Sequence, residues 1–299
     1  MIENIVEPLM EWYKKEHRIL PWRDLGNPYY IWISEIMLQQ TRVEAVKPFF
    51  ERFVHALPTV KDVAVCPEDQ LLKLWEGLGY YNRVRNIQKA ARILMEEYDG
   101  KLPADYEKLK SLPGIGNYTA GAVASIAFDL PVPAVDGNVL RVYARLTEMY
   151  DDILKQSVKT SVEKEFLKIM PKKGSGSFNQ ALMELGAMVC VPNGAPKCDI
   201  CPIAGFCKAG KNHTFMELPV KKKQKSRKIE KKTILVIRDG EKVAIRKRPS
   251  EGLLAGLYEL PNLEGFLDQK SIIEWMKKYE LLPLRIQKLE NSKHIFSHV

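Results

Sequence analysis

Apolar residues recur at helical spacing through most of residues 1–210. At the N-terminus one stripe is formed by Ile2, Ile5, Val6, Leu9, Trp12 and Tyr13. Similar stripes cover residues 43–56, 83–97, 138–149, 158–169 and 177–189, separated by short breaks that contain Pro, Gly or Asp. No repeat of fixed period accompanies the pattern. The spacing therefore predicts a mainly α domain over residues 1–210.

A basic run with no apolar face, KKKQKSRKIEKK, occupies positions 221–232. The chain holds 46 Lys and Arg against 37 Asp and Glu, a net charge of +9, and this run alone contributes +7. The excess comes from Lys221, Lys222, Lys223, Lys225, Arg227, Lys228, Lys231 and Lys232, opposed by Glu230. The high overall charge therefore says little about the regions on either side. We interpret residues 211–232 as a basic linker.

The pattern changes again after the linker. Residues 233–237 and 243–245 are short β-rich runs on either side of Arg238-Asp239-Gly240-Glu241, which predicts a hairpin of two strands. A helical stripe follows over residues 270–279. Residues 233–299 are therefore predicted to form a separate α+β domain.

Composition excludes several classes of protein. With 45% hydrophobic and 28% charged residues, the chain is globular rather than disordered. It has no run of 18 apolar residues, so no membrane span is expected, and its acidic N-terminus does not match a signal peptide. We expect an intracellular protein.

The stretch LPGIGNYTA at residues 112–120 lies between two helical patterns. Gly114 and Gly116, two apart, permit a tight turn and a close backbone approach. The helix that follows points unpaired N–H groups at this turn, which suits a phosphate. The pattern is typical of a helix–hairpin–helix that holds a DNA backbone; the alternative is an ordinary Pro-Gly turn between core helices.

Two carboxyl groups are candidates for chemistry. Asp136, in VDGNV, is either an ordinary helix N-cap or a carboxylate that faces the groove beside the hairpin. Glu35 lies among apolar residues and is either solvent-facing, paired, or kept in a cleft with a raised pKa. The neighbouring QQT at residues 39–41 and PWR at residues 21–23 favour the cleft, because they supply hydrogen-bonding groups, an aromatic ring and a cation for DNA.

Four of the five cysteines fall within 18 residues, with the spacing C-x7-C-x2-C-x5-C. They are Cys190, Cys198, Cys201 and Cys207. Four thiolates suit either a tetrahedral zinc ion or a 4Fe–4S cluster, and the single C-x2-C pair slightly favours the cluster. The isolated Cys66 is interpreted as a small core residue.

Together these residues resemble the adenine DNA glycosylase (MutY) family of the helix–hairpin–helix, endonuclease III-like superfamily. The matching stretches run in order across residues 2–207: PWR (21–23), SEIMLQQTRVE (34–44), WEGLGYYNRVRN (75–86), LPGIGNYTAGAV (112–123), VDGNVLRV (135–142) and ALMELGAMVC (181–190). The resemblance implies a helix–hairpin–helix glycosylase domain with a 4Fe–4S cluster on the four cysteines. It implies hydrolysis of the N-glycosidic bond of adenine mispaired with 8-oxoguanine or, less efficiently, with guanine.

The resemblance also implies residue roles. Glu35 would protonate the flipped adenine from a poorly hydrated pocket, and Asp136 would stay ionised and stabilise the oxocarbenium-like sugar. Tyr118 and Asn138 would support the carboxylate and the water. The DNA-contact residues would be Arg23 on phosphate, Gln40, Thr41, Leu78 and Tyr80 in the duplex near the lesion, and Gly114 and Gly116 on the backbone.

Residues 117–120, NYTA, lack the Schiff-base lysine that lyases of this superfamily place just after the hairpin. We therefore expect a monofunctional glycosylase. Two alternatives stay open from sequence: an endonuclease III-type pyrimidine-lesion glycosylase/lyase, and a non-catalytic DNA-binding module with a structural metal.

The C-terminal residues resemble the Nudix-like 8-oxoguanine-recognition domain of the family, through RKRP (246–249) and GLLAGLYELP (252–261). No R-E-x-x-E-E cluster follows, so we expect no pyrophosphatase. Phe296, Ser297 and His298 resemble the loop that inspects 8-oxoguanine. Residues 233–299 are few for a closed domain, and we expect this domain to be incomplete.

The sequence departs from the family in its first cysteine spacing, which is x7 where the family usually has x6. One extra residue in a surface loop costs little free energy, so we expect the cluster still to form.

The resemblance finally implies a partner and a setting. We expect a cytoplasmic, nucleoid-associated monomer that binds double-stranded DNA with an A:8-oxoguanine or A:G mispair, and no membrane. Phosphate contacts from the linker would each add roughly 0.9 to the slope of log K against log salt. An unchanged slope after neutralising residues 221–223 would mean a solvated tether instead.

Overall fold

The computed structural model describes residues 2–23, 26–222, 229–249 and 251–294. The chain divides into two compact units, residues 1–222 and 223–299. No helix in the described ranges is both long and apolar enough to cross a membrane.

The first unit is helical, as predicted. Its helices are α1 (Val6–Glu16), α2 (Pro28–Leu38), α3 (Val43–Ala56), α4 (Val60–Val65), α5 (Glu68–Trp75), α6 (Asn82–Glu97), α7 (Tyr106–Ser111), α8 (Asn117–Phe128), α9 (Gly137–Thr147), α10 (Gln156–Ile169), α11 (Ser175–Glu184) and α12 (Lys208–Lys211). A π-helical turn, Leu185–Val189, continues α11. The six predicted stripes correspond to α1, α3, α6, α9, α10 and α11 with its π turn, which confirms them.

Helix α2 lies at the centre of one half of this unit. Eight of its eleven residues are buried, because it packs against α3, α6 and α8 on different faces. The N-cap Asn27 starts the helix by accepting a hydrogen bond from the Tyr29 N–H, and Pro28 suits the first helical position. Trp32 is fully buried, and a buried large apolar side chain contributes roughly 1.5–3 kcal/mol. A carboxyl carried by this helix is consequently surrounded by core residues.

The second core of the unit is formed by α1, α9, α10 and α11. Phe166 and Phe178 are fully buried there, with ring centroids 6.5 Å apart, and Leu9 and Val139 pack into the same cluster. This core fixes α9, whose first residue follows Asp136, relative to α11 and the cysteine segment. The two halves of the unit therefore each bring one candidate carboxyl to the site.

The predicted hairpin forms the turn between α7 and α8. Gly114 has φ +80°, and a Cβ there would lie 2.8 Å from the Cβ of Asn86. Helix α8 also approaches the chain before Asp136 closely: a Cβ on Gly121 would lie 2.3 Å from the carbonyl oxygen of Pro133. A side chain at Gly114 would push the hairpin away from α6, and one at Gly121 would push α8 away from the segment before Asp136. The two glycines therefore permit these two close approaches.

The second unit contains three two-stranded antiparallel ladders and one helix. Strand β1 (Lys232–Ile234) pairs with β6 (Asn262–Glu264), β2 (Arg238–Asp239) with β3 (Lys242–Val243), and β4 (Arg246–Lys247) with β5 (Tyr258–Glu259). Helix α13 (Gln269–Lys277) confirms the predicted stripe.

The strand prediction was wrong in one respect. The hairpin is made by the two residues on each side of its turn, with Ala244 N–H also donating to the Ile237 carbonyl at 2.9 Å. Residues 233–234 instead pair with β6, with partners 30 and 28 residues further along the chain. Local alternation cannot reveal such a distant partner.

Candidate active site

Glu35 lies on α2 with only 6% of its surface exposed. The Tyr118 hydroxyl donates a hydrogen bond of 2.7 Å to its Oε2. Burial raises the pKa of Glu35 to about 7; the charge of Asp136 raises it further, while the Tyr118 hydrogen bond and Arg23 oppose the rise. Of the three positions considered for this carboxyl, the solvent-facing one is wrong, because the carboxyl is buried and hydrogen-bonded. A carboxyl with this pKa is partly protonated at neutral pH and can donate a proton.

Tyr118 is the second residue of α8, directly after the hairpin. Burial, and then the neighbouring carboxyls, raise the pKa of its phenol, so it remains a proton donor to Glu35. Its hydroxyl also lies 3.8 Å from the Met183 sulfur, on α11. Tyr118 therefore links the hairpin helix to the buried acid.

Asp136 is the N-cap of α9, so the structural alternative for this residue is correct. Its Oδ1 accepts the Val139 N–H at 2.8 Å, and its Oδ2 accepts the Asn138 side-chain amide at 2.8 Å. It is also the charge that raises the pKa of Glu35, so the N-cap lies within electrostatic range of the buried acid. The capping role is therefore observed, and the position facing a DNA groove stays a prediction.

The electrostatics of Asp136 differ from the expectation of an unperturbed carboxylate. Burial raises its pKa, and the hydrogen bonds from Val139 and Asn138 oppose the rise. Donors directed at both oxygens stabilise the ionised form. Glu35 receives one hydroxyl donor, from Tyr118, so fewer hydrogen bonds oppose the rise of its pKa than oppose that of Asp136.

Asn138 belongs to a chain of hydrogen bonds behind Asp136. Its Oδ1 accepts from Arg141 Nη2 at 2.8 Å. Arg141 in turn donates through Nε to the Cys190 carbonyl at 2.8 Å and through Nη2 to the Gly186 carbonyl at 2.7 Å. The amide orientation that serves Asp136 is thus fixed by the segment that carries the first cysteine. Sequence reasoning placed Asn138 but missed Arg141.

The four clustered cysteines line one cavity of about 350 Å³. A single zinc ion needs every sulfur about 2.3 Å from one metal. Within the described residues, no three Cys, His, Asp or Glu side chains are grouped closely enough to hold one ion. A 4Fe–4S cube binds each thiolate through a different iron and so spreads its ligands. The structure therefore brings the four predicted ligands to one cavity, and the donor set, four thiols, suits such a cluster.

Arg145 stabilises the wall of this cavity. Its Nη1 lies 3.3 Å from the Cys190 sulfur, and its Nε donates to the carbonyls of Phe215 and Leu218, each at 3.0 Å. Cys66 lies elsewhere and is buried, as the interpretation of a core residue requires.

The PWR stretch lies in the interior rather than on a DNA-facing surface. Trp22 is buried with its ring edge-on to Phe50, 5.3 Å between centroids. Arg23 has a side chain only 7% exposed and pairs with the buried Glu184 at 3.1 Å. It also donates to the Gln180 amide oxygen at 2.9 Å. The predicted phosphate contact needs an exposed cation, which Arg23 does not present; its positive charge instead lowers the pKa of Glu35.

The other predicted DNA-contact residues lie in three turns. Gln40 and Tyr80 are exposed, Thr41 is half-buried, and Leu78 is only 7% exposed. Gly114 and Gly116 are both exposed in the hairpin, and Gly116 caps α8. The buried Leu78 does not project as a wedge in this structure. Phe296, Ser297 and His298 lie outside the described residues, as do Lys223, Lys225, Arg227 and Lys228 of the linker.

The fold and this site match known proteins. Residues 33–172 match the HhH-GPD superfamily of base excision DNA repair proteins, and residues 233–299 match the NUDIX domain. The chain is 36% identical over 297 residues to an adenine DNA glycosylase of Buchnera aphidicola subsp. Baizongia pistaciae, covering 98% of this chain and 82% of that protein. It is 33% identical over 369 residues to the Schizosaccharomyces pombe adenine DNA glycosylase, covering 100% and 80%. A solved non-covalent endonuclease III–DNA complex shares 29% identity at a TM-score of 0.60, covering 71% of this chain and 96% of that one.

The hairpin, the buried carboxyl and these matches define a helix–hairpin–helix base-excision repair glycosylase. Within that class, the chain belongs to the adenine DNA glycosylase family. The resemblance inferred from sequence and the predicted fold class, mainly α with a C-terminal Nudix-like part, are confirmed. A non-catalytic module and an endonuclease III-type enzyme are not favoured.

Proposed function

We propose that this chain removes adenine mispaired with 8-oxoguanine, or less efficiently with guanine, from duplex DNA. The main support is a pair of carboxyl groups. Glu35 is a buried acid with a pKa of about 7, and Asp136 accepts hydrogen bonds at both oxygens. The names of the curated relatives support adenine as the base. The chemistry of the pair supports cleavage of a glycosidic bond by one acid and one stabilising anion.

The two carboxyl groups have different roles in the proposed reaction. The adenine leaves the stack, at a cost of a few kcal/mol that is smallest for a mispaired base. Glu35 then gives its proton to the adenine ring, which leaves as the C1′–N bond breaks. Asp136 stabilises the positive sugar until water adds to C1′ and gives its proton to the Glu35 carboxylate, which restores the acid. Tyr118 and Asn138 hold the two carboxyls in place.

We propose further that the enzyme does not cut the strand. A lyase needs an amine to attack C1′ and form a Schiff base. Residues 117–120 carry no lysine, and the side chain at position 118 is the phenol bound to Glu35. Water is then the acceptor of the sugar, and an intact abasic strand is the product.

A duplex carrying adenine opposite 8-oxoguanine tests the proposed activity. The full chain should yield an abasic site in the adenine strand, seen as cleavage only after alkali, and a smaller yield opposite guanine. A second duplex carrying an oxidised pyrimidine should remain intact. Borohydride should trap no covalent complex in good yield. Absence of cleavage at any enzyme excess, or efficient trapping, would reject the proposal.

The rate of excision should depend on pH through Glu35. The active form is protonated, and its pKa is raised to about 7, so activity is present below pH 7 and lost as pH rises through that value. Single-turnover rates on the mispaired duplex between pH 5.5 and 9 would show a fall of about tenfold per pH unit above the midpoint. A rate that is flat or that rises over this range would contradict the assignment of Glu35 as the acid.

We propose that Cys190, Cys198, Cys201 and Cys207 hold a 4Fe–4S cluster. When bound, such a cluster cross-links the segment that carries it through four metal–thiolate bonds. Protein purified without oxygen should be brown, with visible absorption and close to four irons per chain. Cys201→Ser should lose most of the iron, while Cys66→Ser should retain it. A colourless protein with one zinc would overturn the proposal.

The C-terminal unit and the linker complete the proposed function. We propose that residues 233–299 recognise 8-oxoguanine, with Phe296, Ser297 and His298 as the inspecting residues and without pyrophosphatase activity; the NUDIX match over these residues supports this. The basic linker would add phosphate contacts. The cytoplasmic location, the monomeric state and the domain boundaries at residues 210 and 232 stay predictions.

A further inference from the structure

Two loops carry the residues predicted to enter the duplex. One, residues 39–41, follows α2, and the other, residues 77–80, lies between α5 and α6. Gln40 in the first and Tyr80 in the second both have left-handed backbone, with φ of 58° and 50°. Such conformations are uncommon for residues other than glycine and persist only where surrounding contacts hold them. Contacts in the structure must therefore hold each of the two loops.

Arg83, in the first turn of α6, reaches both loops with one guanidinium. All six of its acceptors are oxygens of the loops or of the end of α2. Nη1 donates to the carbonyls of Ile36, Met37 and Gln39 at 3.0, 2.9 and 2.6 Å; Nη2 donates to the Leu78 and Gly79 carbonyls at 3.1 and 3.2 Å and to the Thr41 hydroxyl at 3.3 Å.

The position of Arg83 is electrostatically unfavourable for a positive charge. Arg83 is 9% exposed, and a positive charge in the first turn of a helix opposes the helix dipole. None of the six acceptors is a carboxylate, and its Nε has no acceptor among the residues that the structure describes. Burial lowers the pKa of the guanidinium to about 10, so it still carries its charge at neutral pH.

The buried charge of Arg83 is stabilised by the end of α2 and by two aromatic rings. The carbonyls of Ile36 and Met37 belong to the last turn of α2, whose dipole is negative there. The guanidinium also lies 5.4 Å from the centroid of the Trp75 ring and 5.3 Å from that of Tyr80. The loop carbonyls and the Tyr80 ring therefore stabilise the Arg83 guanidinium only while both loops keep their present conformation.

We propose that Arg83 is a positioning residue that locks the two loops into one unit, so that they enter the DNA together when adenine leaves the stack. This inference rests on the proposed function. The planar fork is required, since five loop and helix carbonyls are bound by two terminal nitrogens, whereas a lysine offers a single ammonium. The lock acts on extrusion of the base and not on Glu35, which Arg83 does not contact.

Arg83→Lys in the full chain tests the lock. Arg92→Lys is the matched control, because Arg92 lies on the same helix and also donates to a backbone carbonyl, that of Ala64 at 3.2 Å. At saturating enzyme, excision in a single turnover should fall by roughly 10²-fold, the loss expected when reacting groups are misplaced by an ångström. The fluorescence of 2-aminopurine beside the target adenine should fall with it, and the pH midpoint near 7 should stay unchanged. Arg92→Lys should match the wild type.

Wild-type rate and fluorescence in Arg83→Lys would overturn the inference, as would a lost rate with full fluorescence or a shifted pH midpoint. Hydrogen exchange of the free wild-type protein provides a test should the variant not fold. The amides of Gln39, Thr41 and Leu78 donate to carbonyls at the ends of α2 and α5 and should open with one shared free energy. Unequal opening free energies would reject the lock. An inactive wild type would reject the proposed function instead and leave this exchange test intact.

Discussion

Glu35→Gln abolishes adenine excision, with single-turnover rates falling by about 10²–10⁴-fold at pH 7, the usual contribution of a general acid. Glutamine has nearly the same shape and can still accept the Tyr118 hydroxyl, which lies 2.7 Å from Oε2 in the wild type. What it lacks is the proton that makes adenine a leaving group. Binding to the mispaired duplex should persist, so the loss should appear in the rate at saturation and not in affinity.

The same substitution should stabilise the fold at high pH. The pKa of Glu35 is raised from 4.5 to about 7, so the folded state binds its proton more tightly than the unfolded state does. Stability from this group is full below pH 4.5 and is lost as pH rises through 7. One unit is worth about 1.4 kcal/mol, so Glu35→Gln should gain about 3 kcal/mol relative to wild type at pH 8 and almost nothing at pH 4.

Glu165→Gln is a suitable control for both measurements. Glu165 lies on α10 at the surface, where it pairs with Lys168 at 2.6 Å. It should leave the excision rate unchanged and shift the thermal midpoint by little, since exposed ion pairs contribute about 0–1 kcal/mol. Excision by Glu35→Gln within tenfold of wild type would remove Glu35 from the mechanism. An equal melting temperature of the two proteins at pH 8 would mean that its carboxyl is not buried in solution.

The residues that sequence located well are those whose role follows from local pattern. The hairpin glycines, the helix-initiating Asp136 and the four cysteines each stand in a short motif with a physical reason for its spacing. The helical stripes succeeded for the same reason, because core burial repeats every turn along a helix. Glu35 was found by its conflict with the apolar residues around it.

The residues that sequence missed act across long separations in the chain. Arg18 and Arg23 pair with Glu184 more than 160 positions away, and Arg83 binds carbonyls more than 40 positions before it. Nothing local distinguishes these arginines from surface arginines. The same limitation led to Arg23 being assigned to phosphate. It also hid the partial burial of Asp136, whose raised pKa comes from the packing of separate elements.

Asp136→Asn should separate the two roles of this residue. Asparagine is as good an N-cap as aspartate, so the hydrogen bond from the Val139 N–H, 2.8 Å in the wild type, should survive. Its NH2 replaces Oδ2 and cannot accept from the Asn138 amide, so the melting temperature should fall modestly. The negative charge that stabilises the cationic sugar is lost, so excision should fall by roughly 10²–10³-fold, the usual effect of removing one electrostatic stabiliser of a transition state. Because the charge of Asp136 raises the pKa of Glu35, the pH midpoint of the residual activity should move below 7.

Asp105→Asn is the matched control, since Asp105 caps α7 by accepting the Lys108 N–H at 2.9 Å and is exposed. It changes a capping Asp to Asn on a helix that does not carry the proposed acid, and should leave the rate and the pH midpoint unchanged. Asp136→Ala should lose activity and also about 1 kcal/mol of stability, because the cap is removed as well. If Asp136→Asn excised adenine at the wild-type rate, capping would be the whole role of this carboxyl. A fall in rate with an unmoved pH midpoint would mean that its charge does not reach Glu35. Loss of rate and a lowered midpoint, with a smaller loss of stability than in Asp136→Ala, would assign the charge to the chemistry and the capping hydrogen bond to the helix.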